Sequence, residues 1–382
     1  MTDETSIQRQ LHRERTFRPP FCPNPRCQWH HDASSARFQF HGRKMIQRFP
    51  YVTTRFRCAS CECTFTESRF RLHYRQKVWG LNEEIFYLDS IGASKRAIAR
   101  RVEHSEKLVR VRLIKMARQG LLIHARRVAK IPIREPIVYD GLENFSFSQY
   151  DPNNLNHAVG KNSLFTYDFN LCPLNRKGRM SPRQRARKAL LEEKYGSYPK
   201  DAIRVSTKRI LARLLWKTRE LDLYTDRHFQ YRRAIELDLT RKQARRIRHV
   251  TVSSKVARNY ANPLFAVNNV DMQARHNRAA FRRETIAFAK HPVAMLESFV
   301  LYAIHRNYMR PKFWGTHRSD PECSKRSPGM EVGAAKWIET PEEFFREWVP
   351  RTHVRLHEEW RDLYMRRDRL SRRPIREMPL MG

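Results

Sequence analysis

Acidic residues are scarce in this chain of 382: 39 Asp and Glu stand against 76 Lys and Arg, a formal net charge of +37 with histidine neutral. No run of roughly 18 apolar residues occurs, which excludes a membrane-spanning helix from the sequence. The segment from Met1 to Arg15 is polar and mixed in charge, without the apolar core of a signal peptide, so an intracellular protein is expected. Internal repeats and long low-complexity segments are also missing. Hydrophobic residues nevertheless make up 40% of the chain and aromatic ones 11%, enough to build cores, so the charge excess does not mean disorder. The length suggests two or three domains. These observations leave a folded protein with a polyanionic partner, for which nucleic acid is the default. A ribosome-associated or RNA-binding factor fits the same arithmetic.

Five of the seven cysteines fall in one short segment, as Cys22, Cys27, Cys58, Cys61 and Cys63, while Cys172 and Cys323 stand apart. An odd count in an unsecreted chain argues against a disulfide framework and towards metal. Cys22-Pro-Asn-Pro-Arg-Cys27 and Cys58-Ala-Ser-Cys61 are separated by thirty residues. Each pair sets two thiolates at the mouth of a tight turn, as tetrahedral Zn²⁺ requires. Phe38, Phe40, Tyr51, Val52, Phe56 and Phe65 between and beyond the pairs suggest the short strands of a zinc ribbon. Four thiolates close the coordination shell, so the metal is expected to be structural. Cys63 has the wrong spacing, and His30 and His31 are weaker substitute ligands.

From Leu81 to about Gly120 the pattern becomes helical, with Ile85, Leu88 and Ile91 at helical spacing. Ala93–Val102 reads as a short helix capped by Ser94. After a break at Glu103-His104, Ser105 can cap a longer helix carrying Leu108, Val109, Val111, Leu113, Ile114 and Met116. Two helices joined by a tight turn suggest a helix-turn-helix whose second member reads the groove; a solvated helical hairpin is the plain alternative. Twelve Lys/Arg between Lys95 and Lys130, against Glu103 and Glu106, favour DNA. Lys95 and Arg96 are placed for phosphate, and Lys107, Arg110 and Arg112 for base edges. Pro132 and Pro136 mark a linker.

Beyond the linker three carboxylates follow in a suggestive order. Ile137-Val-Tyr-Asp140 is a buried-strand pattern ending in an acid, with further strands in residues 157–171. A basic insertion at residues 176–188 contains no acid, and a helix is expected from about Asp201 to Lys217. Leu221-Asp-Leu-Tyr-Thr-Asp226 is another strand closing on an acid, followed by a helix around Phe229–Leu237 and a strand at His249–Val252. A long helix is expected from near Asn268 to about Lys290, with Asp271 in its first turn. Strand–acid, strands, helix, strand–acid, helix, strand and helix–acid is the order of an RNase H-like mixed-sheet fold. There, Asp140, Asp226 and Asp271 would converge to hold two divalent ions about 3.5–4 Å apart. Hard oxygen ligands suit Mg²⁺ or Mn²⁺. Glu284 is the rival third acid, but thirteen residues along a helix is about 220° of rotation, so both cannot face one site. Asp168 and Asp222 are lesser rivals. An ordinary strand-end carboxylate capping the next helix is the bland reading of Asp140 and Asp226. His228 and His249 are candidates to position phosphate, although a lone histidine near a strand end is more often structural.

In this order, ribbon, helix-turn-helix and acidic triad resemble a bacterial insertion-sequence transposase of the DDE, RNase H-like type. Val252-Ser-Ser-Lys255 and the segment from Asn262 to Asp271 are similar to the approach to that group's third acid. Arg275 and Phe281–Phe288 resemble its basic catalytic helix, and Tyr139-Asp140 and Tyr224-Thr-Asp226 resemble its first two acidic positions. The departure is Asp271 where a glutamate is usual. The resemblance spans roughly residues 20–310. It implies a ribbon at 16–75, a helix-turn-helix at 80–130, a catalytic domain at 134–310 and a C-terminal helical extension at 311–382. It further implies binding of terminal inverted repeats, metal-dependent cleavage and strand transfer into target DNA, and a dimer or larger assembly on DNA in the bacterial nucleoid. A domesticated, non-catalytic DNA-binding protein is the alternative from another class.

Overall fold

Alternating aromatic and β-branched residues fold into a small sheet beside the cysteines. The computed structural model describes residues 17–45, 52–282, 287–315 and 321–372; Glu284 lies outside the described residues. Strand β1 (Phe38–Met45) pairs with β2 (Val52–Cys58), and β2 with β3 (Thr64–Thr66), all antiparallel. Phe56 is directly opposite Phe65, and both turn inward with Phe21 and Phe70 around Cys22, Cys27 and Cys58. Each buried phenyl ring contributes about 1.5–3 kcal/mol, which gives this cysteine-centred piece an apolar core of its own.

Two compact units make up the chain. The first holds this sheet and continues through Tyr87, Lys95–Ile123 and Pro341–Arg355. Helices α1 (Asn82–Ser90), α2 (Lys95–Arg101) and α3 (Glu106–Lys130) follow the sheet. Between α2 and α3, Glu103 takes a left-handed conformation at φ 55°. Ser105 Oγ then accepts the Leu108 N–H at 3.2 Å, the cap its sequence position suggests. Val109, Leu113, Met116 and Ala117 form the buried stripe of α3.

The second unit is built on five strands: β4 (Ile137–Phe145), β5 (Pro152–Gly160), β6 (Thr166–Pro173), β7 (Leu221–Asp226) and β8 (Ile247–Val252). Their order is β6-β5-β4-β7-β8, antiparallel from β6 through β4 and parallel from β4 through β8. The basic insertion becomes α4 (Pro182–Tyr195), started by a reciprocal Ser181–Gln184 capping box with Pro182 in the first turn. Then come α5 (Ala202–Leu215), α6 (Phe229–Arg233), a π-helical turn at Ala234–Asp238, α7 (Arg241–Ala244), α8 (Phe265–Asn277) and α9 (Pro292–Tyr308). Successive strand residues face opposite sides of a sheet. On β5, His157 meets Asp271 of α8 and Phe299 of α9, whereas Asn156 reaches Asn170, whose amide donates to Ser206 O of α5 at 3.1 Å. The sheet is therefore covered by α5 on one face and by α8 and α9 on the other.

Two sequence expectations are corrected here. The helix carrying Asp271 begins at Phe265 and ends at Asn277 instead of running from Asn268 to Lys290, so Asp271 lies in its second turn. The end has a non-local cause: Arg278 leaves helical geometry and enters a buried ion pair with Asp89. The C-terminal helical extension expected at 311–382 is interrupted at Pro350. It becomes α11 (Pro341–Arg346), a 3₁₀ turn at Arg351–His353 and α12 (Glu358–Met365), while α10 (Pro328–Glu331) interrupts the loop before it. Residues 341–355 belong to the first unit and those from Leu356 onward to the second, so the C-terminal segment is shared between them. No helix among the described residues is long and apolar enough to cross a membrane.

Candidate functional site

The first unit brings Cys22, Cys27, Cys58 and Cys61 together. All four sulfur atoms lie within 4.8 Å of one another. Cys22 Sγ is 3.6 Å from Cys61 Sγ, and Cys27 Sγ is 3.8 Å from Cys58 Sγ. A tetrahedral zinc with bonds of about 2.3 Å sets its sulfurs about 3.8 Å apart, so the four cysteines can hold a zinc ion. Tight turns produce the arrangement: Cys27 N–H donates to Asn24 O at 3.0 Å, and Glu62 N–H to Cys58 O at 2.9 Å with Glu62 at φ 57°. Burial pushes the Cys22 and Cys58 thiols up. Cys61 is also opposed by burial, but the Cys63 backbone and Asn24 draw it down to about 7.

Cys63 stands outside the cluster. His30 is engaged elsewhere: Nδ1 is 2.6 Å from Cys22 O and Nε2 is 2.5 Å from Thr352 Oγ1. Its ring braces the first cysteine turn from behind.

In the second unit, strand register positions two of the three aspartates. Asp140 pairs with His157 across β4 and β5, so the two share a face. Val138 pairs with Tyr224 across β4 and β7. Continuing that parallel register two residues brings Asp140 level with Asp226, again on one face. Asp271 reaches the same face from α8, with Oδ1 3.0 Å from His157 Nε2. That approach is off-axis, and neither atom has a well-aligned hydrogen bond. Asp140 Oδ1 accepts the Gly141 N–H at 2.7 Å and the Tyr231 hydroxyl at 3.3 Å, while Asp226 Oδ1 accepts the His228 N–H at 2.9 Å.

Electrostatics couple the group. Burial, then the charges of Asp271 and Asp226, push the Asp140 carboxyl up to about 7 against the weaker pulls of the Gly141 N–H and His157. Burial presses the His157 imidazole down, but the neighbouring Asp271 carboxylate outweighs it and holds the ring above its usual range. Among the described residues, the carboxylate oxygens do not form a group within 4.8 Å; only the cysteines do.

The rival acids have other partners. Asp168 is clamped by Arg213 at 2.6 and 3.2 Å, and Asp222 by Arg248 at 2.6 and 2.7 Å. His228 Nδ1 accepts the Gln230 N–H and starts α6, and His249 Nε2 lies 2.8 Å from Thr225 Oγ1, so both are structural. His157 and Tyr231 are the contributors that the sequence reading missed. A signal existed for the first: Asn153, Asn154, Asn156 and His157 crowd polar groups into a strand that is buried almost throughout. Such a concentration is costly unless each group has a task.

Of the proposed nucleic-acid contacts, Lys95, Arg96, Lys107 and Arg110 are exposed on α2 and the first turns of α3, with Arg96 paired at the surface to Glu106 at 3.3 Å. Arg112 is a correction. It is 4% exposed, and its guanidinium donates to Gln76 Oε1, Asn82 Oδ1 and Val78 O, so it fastens the preceding loop instead of reaching a base. Arg275 is half-buried on α8, one helical turn beyond Asp271. Compared with known families and with curated proteins, the chain matches no family model and no curated protein.

Proposed function

We propose that this chain is a DNA transposase: an RNase H-like nuclease and strand transferase delivered to its element's ends by a zinc ribbon and a helix-turn-helix. The observation that carries the reading is the gathering of Asp140, Asp226 and Asp271 on one sheet face, where burial first, and then the charges of Asp271 and Asp226, push the Asp140 carboxyl up to about 7. A bound cation would relieve that repulsion, as a proton on Asp140 does without it. The strand order β6-β5-β4-β7-β8, with acids on the first and fourth strands of that sheet and on the helix after the fifth, is the order expected for such an enzyme. Asp271 Oδ1, buried and without an aligned donor, is an oxygen left over for a hard metal. Asp140, Asp226 and Asp271 would hold Mg²⁺ or Mn²⁺, which supplies an activated hydroxyl and stabilises the leaving 3′ oxygen. His157 orients Asp271, and Tyr231 hydrogen-bonds to Asp140. Lys95 and Arg96 supply phosphate contacts on the α2–α3 pair, and Lys107 and Arg110 remain to reach base edges.

A second reading, a DNA-binding protein without nuclease activity, is favoured by one observation: the aspartate oxygens do not close to within 4.8 Å. Cleavage separates the two. Incubated with Mg²⁺ and a plasmid carrying the DNA that flanks its reading frame, the protein is expected to nick at the element ends. Asp226→Asn should lower nicking at least a hundredfold and leave duplex binding unchanged. Undiminished nicking by the variant overturns the assignment of the acids, and binding without nicking by the parent under Mg²⁺ and Mn²⁺ leaves the second reading.

A further inference from the structure

The outer face of the small sheet carries a feature that neither the cysteines nor the aspartates use. A cavity of about 570 Å³ lies there, lined by Arg43 and Lys44 of β1, Arg55 of β2, Thr66 of β3, and Arg69 and Tyr74 beyond it. Four of its walls are cations and none is a carboxylate.

Local geometry gathers these charges. The β1–β2 register slips by one residue between Phe40 and Arg43, a bulge with Gly42 at φ +87°. After the slip Lys44 pairs with Thr53, two residues from Arg55, so the two side chains share a face; unbroken alternation would have turned Lys44 away, and Arg43, opposite Thr54, belongs to the other face and only borders the groove. Arg55 is directly opposite Thr66, whereas Phe56 and Phe65 turn to the core. Arg69 donates to the Tyr74 hydroxyl at 3.3 Å, which holds it at the rim. A pocket for an apolar small molecule is walled mainly by hydrophobic side chains; this one takes in Met45 and Phe65, but four cations and the hydroxyls of Thr64, Thr66 and Tyr74 outnumber them. Its natural complement is a row of phosphates.

We infer that this groove binds the sugar–phosphate backbone of duplex DNA, as a contact surface separate from the α2–α3 helices. The inference rests on the DNA-binding part of the proposed function. It assigns the small sheet a direct role on DNA beyond enclosing a metal. Lys44, Arg55 and Arg69 each contact a phosphate, and the contact is indifferent to base sequence.

Salt dependence of binding by the full chain tests it, with a random-sequence duplex and no divalent cation. Lys44→Ala/Arg55→Ala/Arg69→Ala should lower affinity at least tenfold near 0.15 M salt and flatten the log K against log salt slope by about 2.7, at about 0.9 per lost contact. Arg55→Lys/Arg69→Lys should keep the parental slope. Arg18→Ala/Arg26→Ala/Arg37→Ala removes three exposed charges of the same unit away from the groove and should change the slope by less than about 1. Zinc content close to one per chain in every variant shows that the sheet remains folded. A groove variant with the parental slope, or a control that loses as much, overturns the inference while leaving the transposase reading in place. A parent protein that binds no duplex overturns both.

Discussion

The two candidate metal centres meet the same problem with opposite chemistry. Protonated thiols are neutral, so Cys22, Cys27, Cys58 and Cys61 can approach to 3.6–3.8 Å across each pair, and burial, seconded by the neighbouring thiols, opposes the ionisation of Cys22. Carboxylates are charged at neutral pH, and the cost of gathering Asp140, Asp226 and Asp271 appears as an Asp140 carboxyl pushed up to about 7 and oxygens that stay apart. A closed cage of soft ligands can be assembled by packing alone. An open cluster of hard ligands stays under tension until something positive enters it, which would suit the phosphate-admitting centre proposed above.

The most severe challenge to this contrast is at the cysteines. Cys58→Ser should take zinc from about one per chain to nearly none and abolish cooperative unfolding of the first unit, because a structural zinc contributes on the order of 10–16 kcal/mol at pH 7. Retention of stoichiometric zinc in that variant would show that the cage is not what closes the fold.

Next in size is the tension among the acids. The folded Asp140 carboxyl titrates near 7, above its unfolded value of about 3.9. Its contribution to stability is therefore fully present below pH 4 and is lost as pH rises through 7. Without added divalent cations, Asp140→Asn should stabilise the protein at pH 8 by up to about 4 kcal/mol and make little difference at pH 4. Denaturant unfolding at both pH values measures this, and equal stability of variant and parent at pH 8 would remove the tension. The smallest effect concerns the positive side of the cluster. His157→Gln removes an imidazole that draws Asp140 down, so the Asp140 titration followed by NMR should move further above 7, by about half a unit or more. A downward move would mean that His157 does not compensate the acids.

The legible parts of this molecule were those whose cause is local. Two tight turns recur in the spacing Cys22–Cys27 and Cys58–Cys61, a serine cap is visible at Ser105, and β7 announces itself by apolar alternation ending at Asp226. What escaped has partners distant in sequence. The helix bearing Asp271 stops at Asn277 because Arg278 pairs with Asp89, 189 residues away, and no local window contains that pair. Arg112 lies in a helix whose periodicity invites a groove reader, yet its acceptors Gln76 and Val78 are 36 and 34 residues upstream. His157 gains its meaning from Asp271, which only the folded sheet brings near.

The brace behind the first cysteine turn bears on how the protein is made. His30 is hydrogen-bonded to Thr352 and its carbonyl oxygen lies 2.6 Å from His353 Nε2, contacts that span 322 and 323 residues. At a synthesis rate of about 5–20 residues per second, these partners leave the ribosome roughly a quarter of a minute to a minute after the first cysteine turn. The cysteine cage can be complete long before its outer brace exists. During that interval a zinc ion on the four cysteines would be the main constraint on the turn, with the Phe21 ring that will meet His353 still uncovered on that side.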